Sequence, residues 1–216
     1  MNGKDGSFFL ELEYHVSTDA LSIDSGPPVS GWERVAMAIE KVRARLLKIT
    51  SVLNAAGVPY AIVGGNAVAE WVGRVDEGAV RFTKDVDILL RRSDMPQAIE
   101  AAERAGFHYV ETMGVPMFLD SPAALPSSAV HVIYAEERVR EDDLAAAPSV
   151  RDTAAAECFQ VVSLEKLVQM KLTSYRDKDK THLRDMLGVA LIDATWPARF
   201  PQALAARLQA LLDNPE

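Results

Sequence analysis

Tyr60-Ala61-Ile62-Val63-Gly64-Gly65-Asn66-Ala67-Val68-Ala69, followed after a polar interval by Lys84-Asp85-Val86-Asp87-Ile88-Leu89-Leu90, decides how this chain is read. The apolar run ending at Val63 predicts a short buried strand. Gly64-Gly65 predicts a tight turn, and residues 66–72 a helix starting straight after it. The second run is apolar on both faces at its far end, the pattern of a central strand. Side chains alternate along a strand, so Asp85 and Asp87 share a face, about 5–6 Å apart. At an effective dielectric near 20 their repulsion is about 3 kcal/mol. Solvent at an open strand mouth offsets that, and so does a divalent cation, for which carboxylates are suitable ligands. The glycine pair also has two readings. It is a plain strand-to-helix turn, or a helix N-terminus whose free N–H groups donate to phosphate oxygens.

Outward from this core, apolar residues Val35, Ile39, Val42, Leu46, Ile49 and Leu53 recur every three or four positions. They predict a helix over 32–56 that stops at Gly57. Asp94-Met95-Pro96 predicts a capped helix running to about 105, and Gly106 its end. Strands are expected at 107–111, 115–119 and 129–134. Beyond 151 the pattern reads as helical, with segments 164–176 (Ser163 as N-cap), 178–192 and 201–212. The fold class is therefore α/β, or α+β: a small mixed sheet at 32–150 with a C-terminal helical unit at 151–216. Before both lies an arm and linker at 1–31, containing one strand candidate at 8–14 and Pro27-Pro28.

The chain has 216 residues, 49% of them hydrophobic, and a net charge of −8. That balance argues against a protein that coats nucleic acid non-specifically. Residues 1–30 carry one base and five acids, whereas 163–185 carry six bases and four acids, so a phosphate-binding surface is expected in the second stretch. The single cysteine, Cys158, excludes an internal disulfide framework, and no Cys/His spacing suits zinc. No run reaches the about 18 apolar residues of a membrane span, and the acidic N-terminus does not read as a signal peptide. A cytoplasmic location is expected. Trp32, Trp71 and Trp196 are scattered, which suggests packing, and His182 reads as a surface or helix-packing residue.

Three ordered motifs resemble the nucleotidyltransferase superfamily of polymerase-β-like fold. They are the glycine turn from Val63 to Ala69, the strand from Arg81 to Leu90, and Lys171 through Arg176-Asp177-Lys178-Asp179-Lys180 to Asp185, which is similar to a segment of bacterial AbiEii-like proteins. The resemblance implies a transferase that moves a nucleotide from a nucleoside triphosphate to an acceptor hydroxyl of RNA or protein, in some members as a toxin with an antitoxin partner. It implies that Gly64, Gly65 and Asn66 hold the triphosphate and that Asp85 and Asp87 bind Mg²⁺ or Mn²⁺. Lys171 would approach the phosphates, with Arg176 and Asp179 in support. Arg176, Lys180 and Arg184 form one cationic stripe if their helix is continuous, and a solvated face paired to Asp177 and Asp185 otherwise.

The pattern departs from the family in two places. The interval between Gly65 and Asp85 is long, which a loop at 75–80 absorbs. The third carboxylate is missing: the strand Ala129-Val130-His131-Val132-Ile133-Tyr134 places His131 where an acid is expected. His131 is then a base or a hydrogen-bonded structural residue, and Asp120, Glu136 or Glu137 are the nearby substitutes. A degenerate module that binds nucleotide or a protein partner without turnover is the alternative function.

Overall fold

The computed structural model describes residues 30–214. The strand expected at 8–14 and the arm before Ser30 lie outside the described residues. Gly31 does not belong to a linker, because it opens the first helix, α1 (Gly31–Ala55). That helix starts on a reciprocal cap. The Ser30 hydroxyl accepts from the Glu33 N–H at 3.2 Å, and the Glu33 carboxylate accepts from the Ser30 N–H at 2.6 Å. Its apolar stripe is buried at Leu46, Ile49 and Leu53, while Val35 and Trp32 at its start stay exposed, Trp32 at 85%. Trp32 is thus not the packing residue expected from its scatter. The sheet covers only the later turns of the helix.

The remaining elements are β1 (Ala61–Val63), α2 (Gly64–Gly73), β2 (Val86–Leu90), α3 (Met95–Arg104), β3 (His108–Thr112), β4 (Val115–Leu119) and β5 (Val130–Tyr134). They are followed by β6 (Thr153–Ala155), β7 (Gln160–Val162), α4 (Leu164–Ser174), α5 (Asp177–Gly188) and α6 (Gln202–Asp213). The strands form one mixed sheet in the order β3-β4-β5-β2-β1-β7-β6. β2 runs parallel to β5 and β1 parallel to β7, and the other pairings are antiparallel.

Burial separates the two faces of β2. Val86, Ile88 and Leu90 join a core built under α1 and α3 with Ile62 and Phe118. Leu89 points the other way, into a core with Val68 of α2, Leu167 and Leu172 of α4, and Leu183 of α5. A strand buried on both faces is central, as the apolar run predicted. Asp87 therefore lies on the face covered by α2, α4 and α5.

Several sequence expectations are corrected. The segment from 151 is not wholly helical, since β6 and β7 extend the sheet, with Val161 beside Ile62 of β1. The helix expected at 66–72 begins at Gly64 itself, so the glycines form its first turn. Asp94 and Ser163 occupy N-cap positions without capping through their side chains, and the Asp94 carboxylate instead takes the Arg91 guanidinium at 2.7 Å. The interval 75–80 is a loop closed by a short 3-10 turn, where Asp76 accepts from the Gly78 N–H at 2.8 Å. Among the described residues, no helix is long and apolar enough to cross a membrane.

Candidate active site

The site is built from the register of the central strands. In β2, Asp87 lies beside Val63 of β1 on one side and His131 of β5 on the other. Val63 is followed by Gly64, so the glycine turn begins against the Asp87 side chain. Gly64 has φ +67°, and a Cβ there would fall on the Asp87 carboxylate. A Cβ on Gly65 would come within 2.8 Å of Thr83 Cβ. Both glycines are thus required by close approach, and Gly64 and Gly65, which open α2, line the same cleft as Asp87.

Asp85 sits immediately before β2. Its carboxylate accepts from the Thr83 hydroxyl at 2.5 Å and lies 3.9 Å from the Lys178 ammonium. Its main-chain carbonyl accepts from the Asn66 side-chain amide at 2.8 Å. Asn66, expected to hold the triphosphate, therefore ties α2 to the start of β2. Asp85, Asp87 and His131 bring donor atoms within 4.8 Å of one another. His131 is thus the third group of the cluster. Of the alternatives, Asp120 is bound to Arg45 at 2.6 Å and Glu137 to Arg92 at 2.7 Å, and Glu136 stands in the turn after β5; none joins the cluster.

The electrostatics of the two acids differ. Burial works against ionisation of Asp85, but the Thr83 hydrogen bond and Lys178 outweigh it and hold the carboxyl below its ordinary value. At Asp87, burial and then the charge of Asp85 push the carboxyl above its ordinary value, with Lys171 and His131 opposing. Two acids this close, one of them resisting ionisation, are what a divalent cation relieves, and two carboxylates with an imidazole are a donor set that fits one.

The cations come from the far wall. Lys171 of α4 is buried, and its ammonium donates to Asp179 of α5 at 3.1 Å. Asp179 also accepts from the Ser174 hydroxyl at 2.8 Å and from the Arg176 side chain at 2.8 Å and main chain at 3.3 Å. Burial opposes its ionisation, yet Arg176, Lys171 and Ser174 hold Asp179 down to about 2. The continuous cationic stripe does not exist. The chain breaks between α4 and α5, where Tyr175 takes φ +46° and Arg176 is extended. Lys180 pairs with Asp177 at 3.1 Å, and Asp185 pairs with Arg81 rather than with α5's own arginine. Lys178, not singled out from sequence, is the lysine that reaches the acid pair.

His182 is buried, and its Nδ1 lacks a hydrogen-bond partner. Burial first, then Lys171 and Lys178, push it down to about 4. Its folded pKa lies below its unfolded one, so the stability it contributes is complete above pH ~6.5 and lost as pH falls toward 4, about 3 kcal/mol in all. Chemical denaturation across pH 7 to 4 is expected to show that loss in the wild type and a shallower slope in His182→Gln. Equal slopes would remove His182 as the cause.

A cleft of about 660 Å³ joins these parts. The glycine turn, Asp87, His131 and Lys171 line it, together with Met113, Val115 and Arg92. No protein-family model and no curated protein matches the sequence. Among solved structures, the chain is similar to ANT(2")-Ia in complex with adenylyl-2"-tobramycin, at 15% identity and TM-score 0.51 over 80% of this chain and 99% of that one. It is also similar to an antigenic nucleotidyltransferase-like protein from Paracoccidioides brasiliensis, at 15% identity and TM-score 0.54 over 82% and 89%. The chain therefore has a nucleotidyltransferase-like α/β fold.

Proposed function

We propose that the protein is a metal-dependent nucleotidyltransferase that moves a nucleotide from a nucleoside triphosphate to an acceptor hydroxyl. The observation that carries this reading is the convergence of Asp85, Asp87 and His131 at a glycine turn that opens a helix, opposite lysines 171 and 178. Asp85, Asp87 and His131 would hold a divalent cation, which neutralises phosphate charge when bound. The N–H groups of Gly64 and Gly65 bind phosphate oxygens, and the dipole of α2 favours their charge. Lys178, half exposed beside Asp85, and Lys171, held by Asp179, stabilise the charge that develops as pyrophosphate leaves. Asn66, Arg176 and Asp179 position these groups. The acceptor is an RNA or protein hydroxyl, and a toxin role with an antitoxin partner belongs to this finer reading, as does a cytoplasmic site of action.

That no third carboxylate joins the cluster among the described residues favours one competing reading, a module that binds nucleotide without turnover. Calorimetric titration of the four nucleoside triphosphates, with and without Mg²⁺ or Mn²⁺, tests both on the wild type and an Asp85→Ala, Asp87→Ala double variant. Metal-dependent binding that the double variant loses is expected. Pyrophosphate release on adding RNA or protein acceptors then separates enzyme from module. If neither folded protein binds any nucleotide, the reading is wrong.

A further inference from the structure

Resting on the metal-binding reading above, we infer that the Asp85–Asp87–His131 site selects Mn²⁺ over Mg²⁺. The outer side of the His131 ring meets the main chain at Pro126. Its Nε2 lies 2.9 Å from the main-chain carbonyl oxygen of Pro126. A carbonyl oxygen only accepts, so Nε2 carries the proton, and in the neutral ring the lone pair is left on Nδ1. Nδ1 faces the Asp87 carboxylate at 3.8 Å. The parallel register that sets Asp87 beside His131 holds both groups on one face of the sheet.

With the ring neutral, the Nδ1 lone pair and the Asp87 carboxylate meet across a gap too long for a direct hydrogen bond, with Asp85 completing a set of three. The Pro126 contact is the outer hydrogen bond that fixes the tautomer and orientation of a metal-ligating imidazole. A carboxylate in place of His131 would make the set all oxygen, which suits Mg²⁺. The imidazole makes it a mixed nitrogen and oxygen set. Mg²⁺ prefers oxygen ligands and water, whereas Mn²⁺ tolerates both donors and stands higher in affinity for imidazole. The imidazole of His131 therefore turns the preference of the site toward Mn²⁺.

The test reads ion binding directly. Mn²⁺ is titrated into the whole protein and free Mn²⁺ followed by electron paramagnetic resonance, with Mg²⁺ as competitor. The pulsed spectrum of bound Mn²⁺ is examined for coupling to an imidazole nitrogen. Displacement is expected to need at least about 10-fold more Mg²⁺ than Mn²⁺, with nitrogen coupling present. In His131→Asp that ratio is expected to fall about 10-fold and the nitrogen coupling to vanish. The nitrogen signal in wild type needs no variant, so a misfolded His131→Asp does not rescue the inference. Bound Mn²⁺ without nitrogen coupling, or displacement by equal Mg²⁺, overturns it. If nucleotide then still binds with Mg²⁺, the proposed function stands and only the metal preference falls. If no ion binds in the presence or absence of nucleotide, both fall.

Discussion

Gly64→Ala is expected to weaken metal-dependent nucleotide binding by about 100-fold or more and to lower stability by about 2–3 kcal/mol. Two independent costs meet at this residue. Its φ of +67° lies in the left-handed region, where a Cβ alone costs about 1 kcal/mol. The added carbon also falls on the carboxylate of Asp87 and comes within 2.8 Å of its Cβ, which the strand fixes. Relief therefore moves either the acid or the first turn of α2, and each is half of the site. Gly57 supplies the control. It shares the conformation, at φ +66°, but a Cβ there meets nothing within 4 Å, so Gly57→Ala is expected to cost about 1 kcal/mol and leave nucleotide binding unchanged. Gly65→Ala isolates the other cost, because its Cβ meets Thr83 without a left-handed φ, and it is expected to act through the hydrogen bond between Thr83 and Asp85. Urea denaturation and nucleotide calorimetry on the three variants check this. Equal behaviour of Gly64→Ala and Gly57→Ala would show that the close approach to Asp87 is not needed.

What the sequence made readable depends on how far each signal reaches along the chain. The central strand was legible because five residues from Val86 to Leu90 are nearly all apolar, and no solvated strand tolerates that. The glycine turn and the acids were legible because their chemistry needs particular residues at short spacings. β6 and β7 were not, since each spans three residues, and alternation over three positions carries no period. They are held by pairing with β1 and with each other, contacts between residues far apart in sequence.

The same distance effect hid Lys178. On its own helix it is one base among several, and nothing local distinguishes it from Lys180, which closes on Asp177 within one turn. Lys178 reaches Asp85 because α5 packs against α2, whose first turn abuts β2. The break after α4 was equally silent, because Tyr175 adopts a left-handed φ without being glycine. That break is what frees Arg176 to turn back onto Asp179 instead of extending a cationic helix face.

Asp179→Ala is accordingly expected to cost about 3–5 kcal/mol at pH 7, the largest stability loss of any single substitution at the site. Asp179 is 1% exposed and accepts four hydrogen bonds, from Lys171, Ser174 and both the side chain and main chain of Arg176. Removing it leaves the Lys171 ammonium buried without its nearest counter-charge. Burial already pulls Lys171 below its ordinary value, so in the variant it is expected to lose its proton or swing toward Asp87. Acid reads the same interaction in the wild type. Asp179 is held down to about 2, below its unfolded value, so its stabilisation is complete above pH ~4 and lost as pH falls from there toward 2, about 2 kcal/mol in all. The decisive comparison is Lys171→Met in the Asp179→Ala background. If the cost is the stranded charge, the second substitution is expected to recover part of the stability while nucleotide binding stays lost, because the cation that faces the phosphates is gone. If the double variant is less stable than the single one, the helices are held by packing at Lys171 and the charge pair is incidental. Denaturation and calorimetry on wild type, Asp179→Ala, Lys171→Met and the double variant decide between the two, since only a pair that works as a unit separates recovery of the fold from recovery of the site.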